Sequence, residues 1–311
     1  LASMLERETG LPVLGYLPHL PDAALESRHL GLKTAGEIAD LQQKISRMAD
    51  ALVMDWEMLF ALTEGAAPLV HTDRLPPAGE LPPQGAEEQR PRVPIAVARD
   101  AAFCFTYAET LEALERAGAE LCWFSPLQDS ALPEQIGGLY LPGGYPENRL
   151  EELAGARLAR ESIRSYIEAG GRTLAECGGM IYLSQSVLSD GDTDGGSAGS
   201  CVGNIGNEMV GVLPFSITNE RKRRKLTLGY RRFDYNGWRL KGHEFHYTQF
   251  AVPETDGKEG GACSLPLSIA QVYNAKGGKV TTPVFRYKNL IASYTHLYWG
   301  EVDVMALFGE L

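Results

Sequence analysis

The sequence lacks several features that would assign it to common functional classes. No run of about eighteen apolar residues occurs among its 311 residues, and no charged and then apolar leader opens it, so we expect neither membrane insertion nor export. The five cysteines include no Cys-x-x-Cys pair, which favours a reduced, cytoplasmic protein over a disulfide scaffold. Acidic residues outnumber basic ones, 40 against 29, which argues against nucleic-acid binding.

The sequence also lacks a nucleotide-binding P-loop and a zinc-protease motif. Lys258 and Lys279 each follow a glycine, but neither has the second glycine and the hydroxyl residue of Gly-x-x-x-x-Gly-Lys-Ser/Thr. In the Gly-His-Glu-Phe-His-Tyr segment the two histidines, His243 and His246, are three apart in a strand-like pattern. They are therefore expected to face opposite sides of the strand, and we predict no bound metal.

A stretch rich in proline, glycine and glutamate, residues 75–94, divides the chain. Such a composition buries too little apolar surface to order itself. We predict a linker over residues 76–92 that separates an N-terminal region, residues 1–75, from an α/β domain, residues 93–311. In the N-terminal region the apolar spacing predicts helices over 35–52 and 55–62.

The α/β domain opens with a strand, a helix and a second strand, which is the pattern of a right-handed crossover in a parallel sheet. The predicted strands of this part are 95–98, 121–124 and 138–141, and the predicted helices are 106–117 and 150–169. After residue 206 the texture becomes β-rich, with predicted strands over 209–213, 227–235, 241–250, 269–274 and 290–295.

Cys177 lies at the point where a short apolar strand, residues 173–175, meets Glu-Cys-Gly-Gly and a helix that starts near Met180. This pattern is typical of a nucleophile elbow, in which the turn exposes the side chain and nearby N–H groups favour the thiolate. Cys177 is thus a candidate nucleophile. A buried structural cysteine is the alternative that this stretch leaves open.

A cysteine nucleophile needs a base, and His296 follows an apolar strand at the edge where a parallel sheet would present it to the same crevice. A histidine packed among aromatic residues is the alternative. The basic cluster 221–225 is read either as solvated loop charge or as a landing site for a polycarboxylate.

Together these residues resemble the class I glutamine amidotransferases of the cobyrinic acid a,c-diamide synthase family. The segments that carry the resemblance are 26–32, 100–107, 141–147, 175–183, 228–231, 242–247 and 293–296. The resemblance implies a flavodoxin-like, mostly parallel sheet flanked by helices. It also implies that residues 1–75 are the tail of a P-loop-type α/β synthetase domain.

By this resemblance, Cys177 attacks the glutamine carboxamide, and His296 acts as base and then as acid. The N–H groups of Gly144 and Gly178 would form the oxyanion hole. The glutamine pocket or its boundary with a partner domain would include Gly143, His243, Glu244, His246 and Tyr247. Contacts to a tetrapyrrole carboxylate would come from Arg28, His29, Arg223 and Arg224.

The resemblance also implies the partners. L-Glutamine would be the substrate of this chain, and ATP with Mg²⁺ would serve the synthetase domain of the full-length enzyme. The acceptor would be a corrinoid or related tetrapyrrole polycarboxylate, and a homodimer is one expected assembly. Two other functions stay open at this point, amidation of nickel sirohydrochlorin and a non-catalytic, partner-binding scaffold.

Overall fold

The structure is a computed structural model that describes residues 1–25, 35–64, 92–190, 205–251 and 265–303, together with residues 305 and 308. Its internal contacts divide the chain into two units, Leu1–Leu75 and Pro76–Leu311. Arg28, His29 and the predicted linker except residue 92 lie outside the described residues. None of the described helices is long and apolar enough to cross a bilayer.

The described part of the first unit contains helices and a two-stranded antiparallel sheet, β1 with β2. Its elements are α1 (Ala2–Thr9), β1 (Gly15–Tyr16), α2 (Leu41–Ala51), β2 (Val53–Met54) and α3 (Trp56–Thr63). Asp55 caps α3 as its side-chain Oδ1 accepts the N–H of Met58 at 2.9 Å. The helix predicted over 35–52 begins later, at Leu41, after a 3₁₀ turn at Ala35–Glu37.

The second unit is built on a six-stranded sheet with the order β14-β15-β6-β5-β3-β4, in which only β14 runs antiparallel to its neighbour. The elements as far as the elbow are β3 (Val93–Ala98), α4 (Ala108–Arg116), β4 (Ala119–Phe124), β5 (Gly138–Leu141), α5 (Leu150–Gly155), α6 (Arg157–Glu168), β6 (Thr173–Glu176) and α7 (Gly178–Leu183). The last strands of this sheet are β14 (Val284–Tyr287) and β15 (Leu290–Ser293). The predicted mostly parallel sheet with flanking helices is confirmed.

Two four-stranded sheets adjoin this one. The first has the order β12-β9-β7-β8 and the second β13-β10-β11-β16. Their strands are β7 (Ser186–Ser189), β8 (Ile205–Glu208), β9 (Ile217–Thr218), β10 (Thr227–Tyr235), β11 (Trp238–His246), β12 (Gln249–Phe250), β13 (Tyr273–Asn274) and β16 (His296–Tyr298).

Two predicted elements are wrong, and two predicted strands differ in extent: only 273–274 of the segment 269–274 is a strand, and 241–250 is divided between β11 and β12. The helix predicted over 150–169 is two helices, α5 and α6, because the backbone at Ala156 (φ −77°, ψ 57°) leaves the helical region. The strand predicted over 209–213 is a buried connection without strand pairing. There the N–H of Met209 donates to the carbonyl of Gln185, and the N–H of Val210 donates to the carbonyl of Tyr182. The segment is therefore hydrogen-bonded to the C-terminal end of α7 and the residues after it, and not to a strand.

The core has two halves, one on each face of the main sheet. Alternation along β6 sends Ala175 to the face covered by α6, and Leu174 to the face covered by α4 and the β10–β11 pair. Glu176, the last residue of β6, shares the face of Leu174 and is 4% exposed. The chain then turns sharply at Cys177, so consecutive side chains serve opposite sides of the sheet edge.

Candidate active site

Cys177 occupies the turn between β6 and α7 with φ 43° and ψ −102°, a left-handed conformation that few residues other than glycine adopt. Its N–H donates to the carbonyl of Ser293 on β15 at 2.8 Å, and its carbonyl accepts the N–H of Ile181 at 2.9 Å. The turn is therefore fixed on both sides. The strand-to-helix elbow predicted from the sequence is confirmed.

His296 is carried to the elbow by the strand beside β6. β15 pairs in parallel with β6, with Ser293 opposite Glu176. Two residues separate the end of β15 from His296, which is the first residue of β16. Its side chain is buried, with the ring edge-on to Phe105 at 4.7 Å and stacked on His243 at 4.9 Å. Neighbouring strand ends thus place the predicted nucleophile and base at the same edge of the sheet.

The 143–144 loop closes over the same place. A Cβ on Gly143 would overlap Cε1 of His296 and lie 2.9 Å from its Nδ1, while a Cβ on Gly178 would lie 3.0 Å from the amide nitrogen of Gly144. Only glycine allows these approaches. The loop is held in turn by Ala102, whose carbonyl accepts the N–H of Tyr145 at 2.9 Å.

Burial favours the neutral form of both Cys177 and His296. The pKa of the Cys177 thiol is raised by burial and then by Glu147, against which the N–H of Gly178 acts in the opposite direction. The pKa of His296 is lowered to about 3, mainly by burial and to a smaller extent by His243 and His246. The elbow alone predicted a lowered thiol pKa, and this prediction is wrong because burial outweighs the one N–H donor.

The 243–247 segment contributes a buried polar group. Glu244 is fully buried and forms an ion pair with the Nε of Arg231. His246 stacks on Tyr294 at 3.7 Å, and its Nδ1 donates to the carbonyl of Thr248 at 2.9 Å, which requires the neutral ring to carry its proton on Nδ1. Burial lowers the pKa of His246 to about 4.

The two histidines of this segment contact different rings. His243 is half-buried beside His296, whereas His246 is buried against Tyr294. Tyr247 is half-buried and its carbonyl accepts the N–H of Lys225 at 3.1 Å. Within the ranges that the structure describes, no three His, Cys, Asp or Glu side chains are grouped as metal ligands.

The residues of the basic cluster 221–225 differ in their exposure to solvent. Its exposed members are Arg221, Lys222 and Lys225, and its half-buried members are Arg223 and Arg224. The Nε of Arg224 donates to the carbonyl and to Oδ1 of Asn219 at 2.9 and 3.1 Å. Arg224 also acts on the buried carboxyl of Glu147, whose pKa burial raises to about 7.

Two acidic residues of this region were not singled out from the sequence. Glu147 influences the pKa of Cys177, and its buried Oε2 has no hydrogen-bond partner among the described residues. Glu176 bonds to the chain next to His296. Glu147 follows the Pro-Gly-Gly-Tyr-Pro sequence and Glu176 precedes the cysteine, and these positions are the only signals that could have found them.

The fold and the site define an α/β protein with a cysteine at a strand-to-helix elbow and a histidine just beyond the end of the adjoining strand. Residues 94–304 match the model of the CobB/CobQ-like glutamine amidotransferase domain. The chain therefore belongs to this family.

Curated relatives agree with the match. The chain is 38% identical to a hydrogenobyrinate a,c-diamide synthase of Pseudomonas aeruginosa, covering 93% of the chain and 58% of that protein. It is 34% identical to a cobyrinate a,c-diamide synthase of Dehalococcoides mccartyi, covering 95% of the chain and 60% of that protein. The chain thus spans less than two thirds of the relatives it matches.

A solved glutamine amidotransferase of Thermotoga maritima is similar over 67% of the chain and 76% of its own length. The identity is 12% and the TM-score is 0.40, which is too low to support an argument.

Proposed function

We propose that the chain is the glutaminase part of a glutamine-dependent amidotransferase, and that it releases ammonia from L-glutamine for amidation of the a and c side-chain carboxylates of a corrin precursor. The observation that carries the proposal is the Cys177 elbow beside His296 under the 143–144 glycine loop. The names of the relatives supply the corrin acceptor.

The proposed chemistry starts from the neutral pair. As the Cys177 sulfur bonds to the carboxamide carbon, His296 takes the thiol proton and later gives it to the departing nitrogen, which leaves as ammonia. The N–H groups of Gly144 and Gly178 stabilise the oxyanion that develops before the carbon–nitrogen bond breaks. Water, deprotonated by His296, then cleaves the thioester to glutamate and restores the thiol.

Recognition of the glutamine backbone is assigned to Arg224 and Glu147. Free glutamine carries an α-carboxylate and an α-ammonium group, and a site selective for it needs one cation and one anion near the reacting thiol. The Arg224 guanidinium is fixed by Asn219, and the partnerless Oε2 of Glu147 is an acceptor that an ammonium group would satisfy. By the family resemblance Arg224 would contact a tetrapyrrole carboxylate, and this is the competing assignment.

We assign no ATP and Mg²⁺ site to this chain. The sequence has no P-loop motif, and the described residues hold no group of metal ligands. We therefore assign the activation of the acceptor carboxylate to the part of the relatives that the chain does not span, and assign to this chain ammonia release alone.

The direct test is glutamate release from L-glutamine by the purified chain, with D-glutamine and L-asparagine as control substrates. We expect hydrolysis of L-glutamine only, because both charges and the side-chain length must match the pocket. Where the chain is silent alone but releases glutamate after addition of a complete synthetase partner, the proposal also holds. No release under either condition would contradict it.

A second prediction concerns Arg224. Replacing Arg224 by glutamine should raise the KM for L-glutamine about tenfold or more and change kcat less, because the α-carboxylate loses its cation. The matched control is Arg221→Gln, since the Arg221 side chain is 84% exposed and belongs to the same cluster. An unchanged glutamine KM with weaker tetrapyrrole binding would favour the tetrapyrrole assignment instead.

A further inference from the structure

Glu176 is a buried carboxyl directly before the nucleophile, and it faces away from the thiol. Its Oε1 accepts the N–H of Leu297 and the indole N–H of Trp299, both at 3.2 Å, and its Oε2 accepts the hydroxyl of Tyr140 at 2.9 Å. All three groups donate to it, so a carboxyl here is fully satisfied. The Leu297 contact joins residues 121 positions apart in sequence.

The N–H of Leu297 belongs to the peptide that follows His296. On the other side of this peptide, the carbonyl of His296 packs against Gly242 so closely that a Cβ on Gly242 would overlap it. Among the described residues no hydrogen bond reaches either ring nitrogen of His296. The orientation of the imidazole therefore depends on ring packing and on the position of the His296 main chain. Glu176 contacts this main chain on one side through a hydrogen bond, and Gly242 packs against it on the other.

We propose that Glu176 is a positioning residue, whose carboxyl holds the main chain of His296 from the opposite face of the sheet and ties it to the strand that carries Cys177. This inference rests on the proposed function. It assigns to a peptide N–H the orienting task that an acid–imidazole hydrogen bond performs in a Ser-His-Asp triad. Glu176 adjoins Cys177 in sequence, so one residue sets the places of both nucleophile and base.

The Glu176 carboxyl could act through its negative charge or through the hydrogen bonds it accepts, and its effect on neighbouring pKa values distinguishes the two. The ionised carboxyl raises the pKa of the Cys177 thiol and of Tyr107, so its charge opposes formation of the thiolate. Burial raises the pKa of Glu176 to about 7, with the Tyr140, Leu297 and Trp299 donors acting against it. Since Oε1 accepts hydrogen bonds in either protonation state, the useful contribution of Glu176 is its geometry.

The test compares Glu176→Leu with Glu176→Gln. Glu176→Leu removes both acceptors and should lower kcat for glutamine about tenfold to a hundredfold while KM stays within about twofold, because ring displacement affects the proton transfers. Glu176→Gln keeps the Oε1 acceptor and should retain kcat within about threefold, with an unshifted pH profile. An equal loss in both variants, or full activity of Glu176→Leu, would overturn the inference.

A second readout does not depend on glutamine hydrolysis. The rate at which iodoacetamide alkylates Cys177, followed by mass spectrometry of its peptide, measures how well His296 removes the thiol proton. We expect Glu176→Leu to be slowed like His296→Asn, and Glu176→Gln to react like the wild type. A wild-type rate in Glu176→Leu beside a slow His296→Asn overturns the inference, whatever the outcome for glutaminase activity.

A third variant covers the case in which Glu176→Leu does not fold. Trp299→Phe keeps an aromatic ring at this position and removes one of the two N–H donors to Oε1, which loosens the carboxyl that holds Leu297. Its alkylation rate and kcat should fall about threefold or more. Unchanged values would count against the inference.

Discussion

Replacing Cys177 by serine will lower kcat/KM for glutamine hydrolysis by at least about 10³-fold. The hydroxyl is a far weaker nucleophile than the thiol, and His296 would have to take its proton with no acid among the described residues hydrogen-bonded to the imidazole to stabilise the resulting charge. The measurement is glutamate release with the complete enzyme, at equal concentrations of folded wild type and variant.

Cys122 provides the matched control for this prediction. It lies in β4, is partly buried, and its thiol contacts the carbonyl of Glu120 at 3.8 Å. Cys122→Ser removes a cysteine of the same sheet and should leave kcat within about twofold. Residual hydrolysis in Cys177→Ser at more than a few per cent of wild type would show that another nucleophile, or a directly activated water, carries the reaction.

The pKa values of His296 and Glu147 predict how glutamine hydrolysis depends on pH between 7 and 5. Burial lowers the pKa of His296 to about 3, so the ring stays neutral and able to accept a proton as the pH falls from 7 to 5. A loss of activity in that interval would therefore have to come from other groups. Glu147, with a pKa raised to about 7, gains its proton there and would lose its hold on an ammonium group.

The sequence predicted those parts of the fold that depend on local patterns. The strands Gly138–Leu141 and Thr227–Tyr235 were predicted to the residue, and each is followed directly by a turn-favouring residue, Pro142 and Asn236. The Cys177 elbow was predicted because Gly-Gly after a strand has few other uses. The segment 209–213 was misread because burial alone does not separate a strand from a buried connection.

The parts of the site that escaped prediction depend on contacts between distant segments. Glu176 reads as an ordinary strand residue until β16 brings Leu297 against it, and the Arg231–Glu244 pair needs the register of β10 on β11. The prediction of a lowered thiol pKa was wrong for the same reason, because the elbow is a local feature whereas residues throughout the second unit bury Cys177. Desolvation by segments distant in sequence leaves no pattern in the residues around the group whose pKa it shifts.

Replacing Gly143 by alanine will lower kcat by about 10²-fold or more, although the substitution adds only one methyl group. The new Cβ would occupy the place of Cε1 of His296, and since the ring is wedged between Phe105 and His243 it has to move out of line with the thiol. A displacement of about 1 Å in a reacting group costs about this factor.

Gly155→Ala separates this displacement from any general effect of removing a glycine. Gly155 ends α5, and a Cβ there meets nothing within 4 Å, so this variant should keep full activity and gain slightly in stability. If Gly143→Ala retained kcat within about threefold, the imidazole would have to react from a different position than the one it occupies here. Slow alkylation of Cys177 in Gly143→Ala, with an unchanged melting temperature, would instead locate the defect in the contact between loop and base.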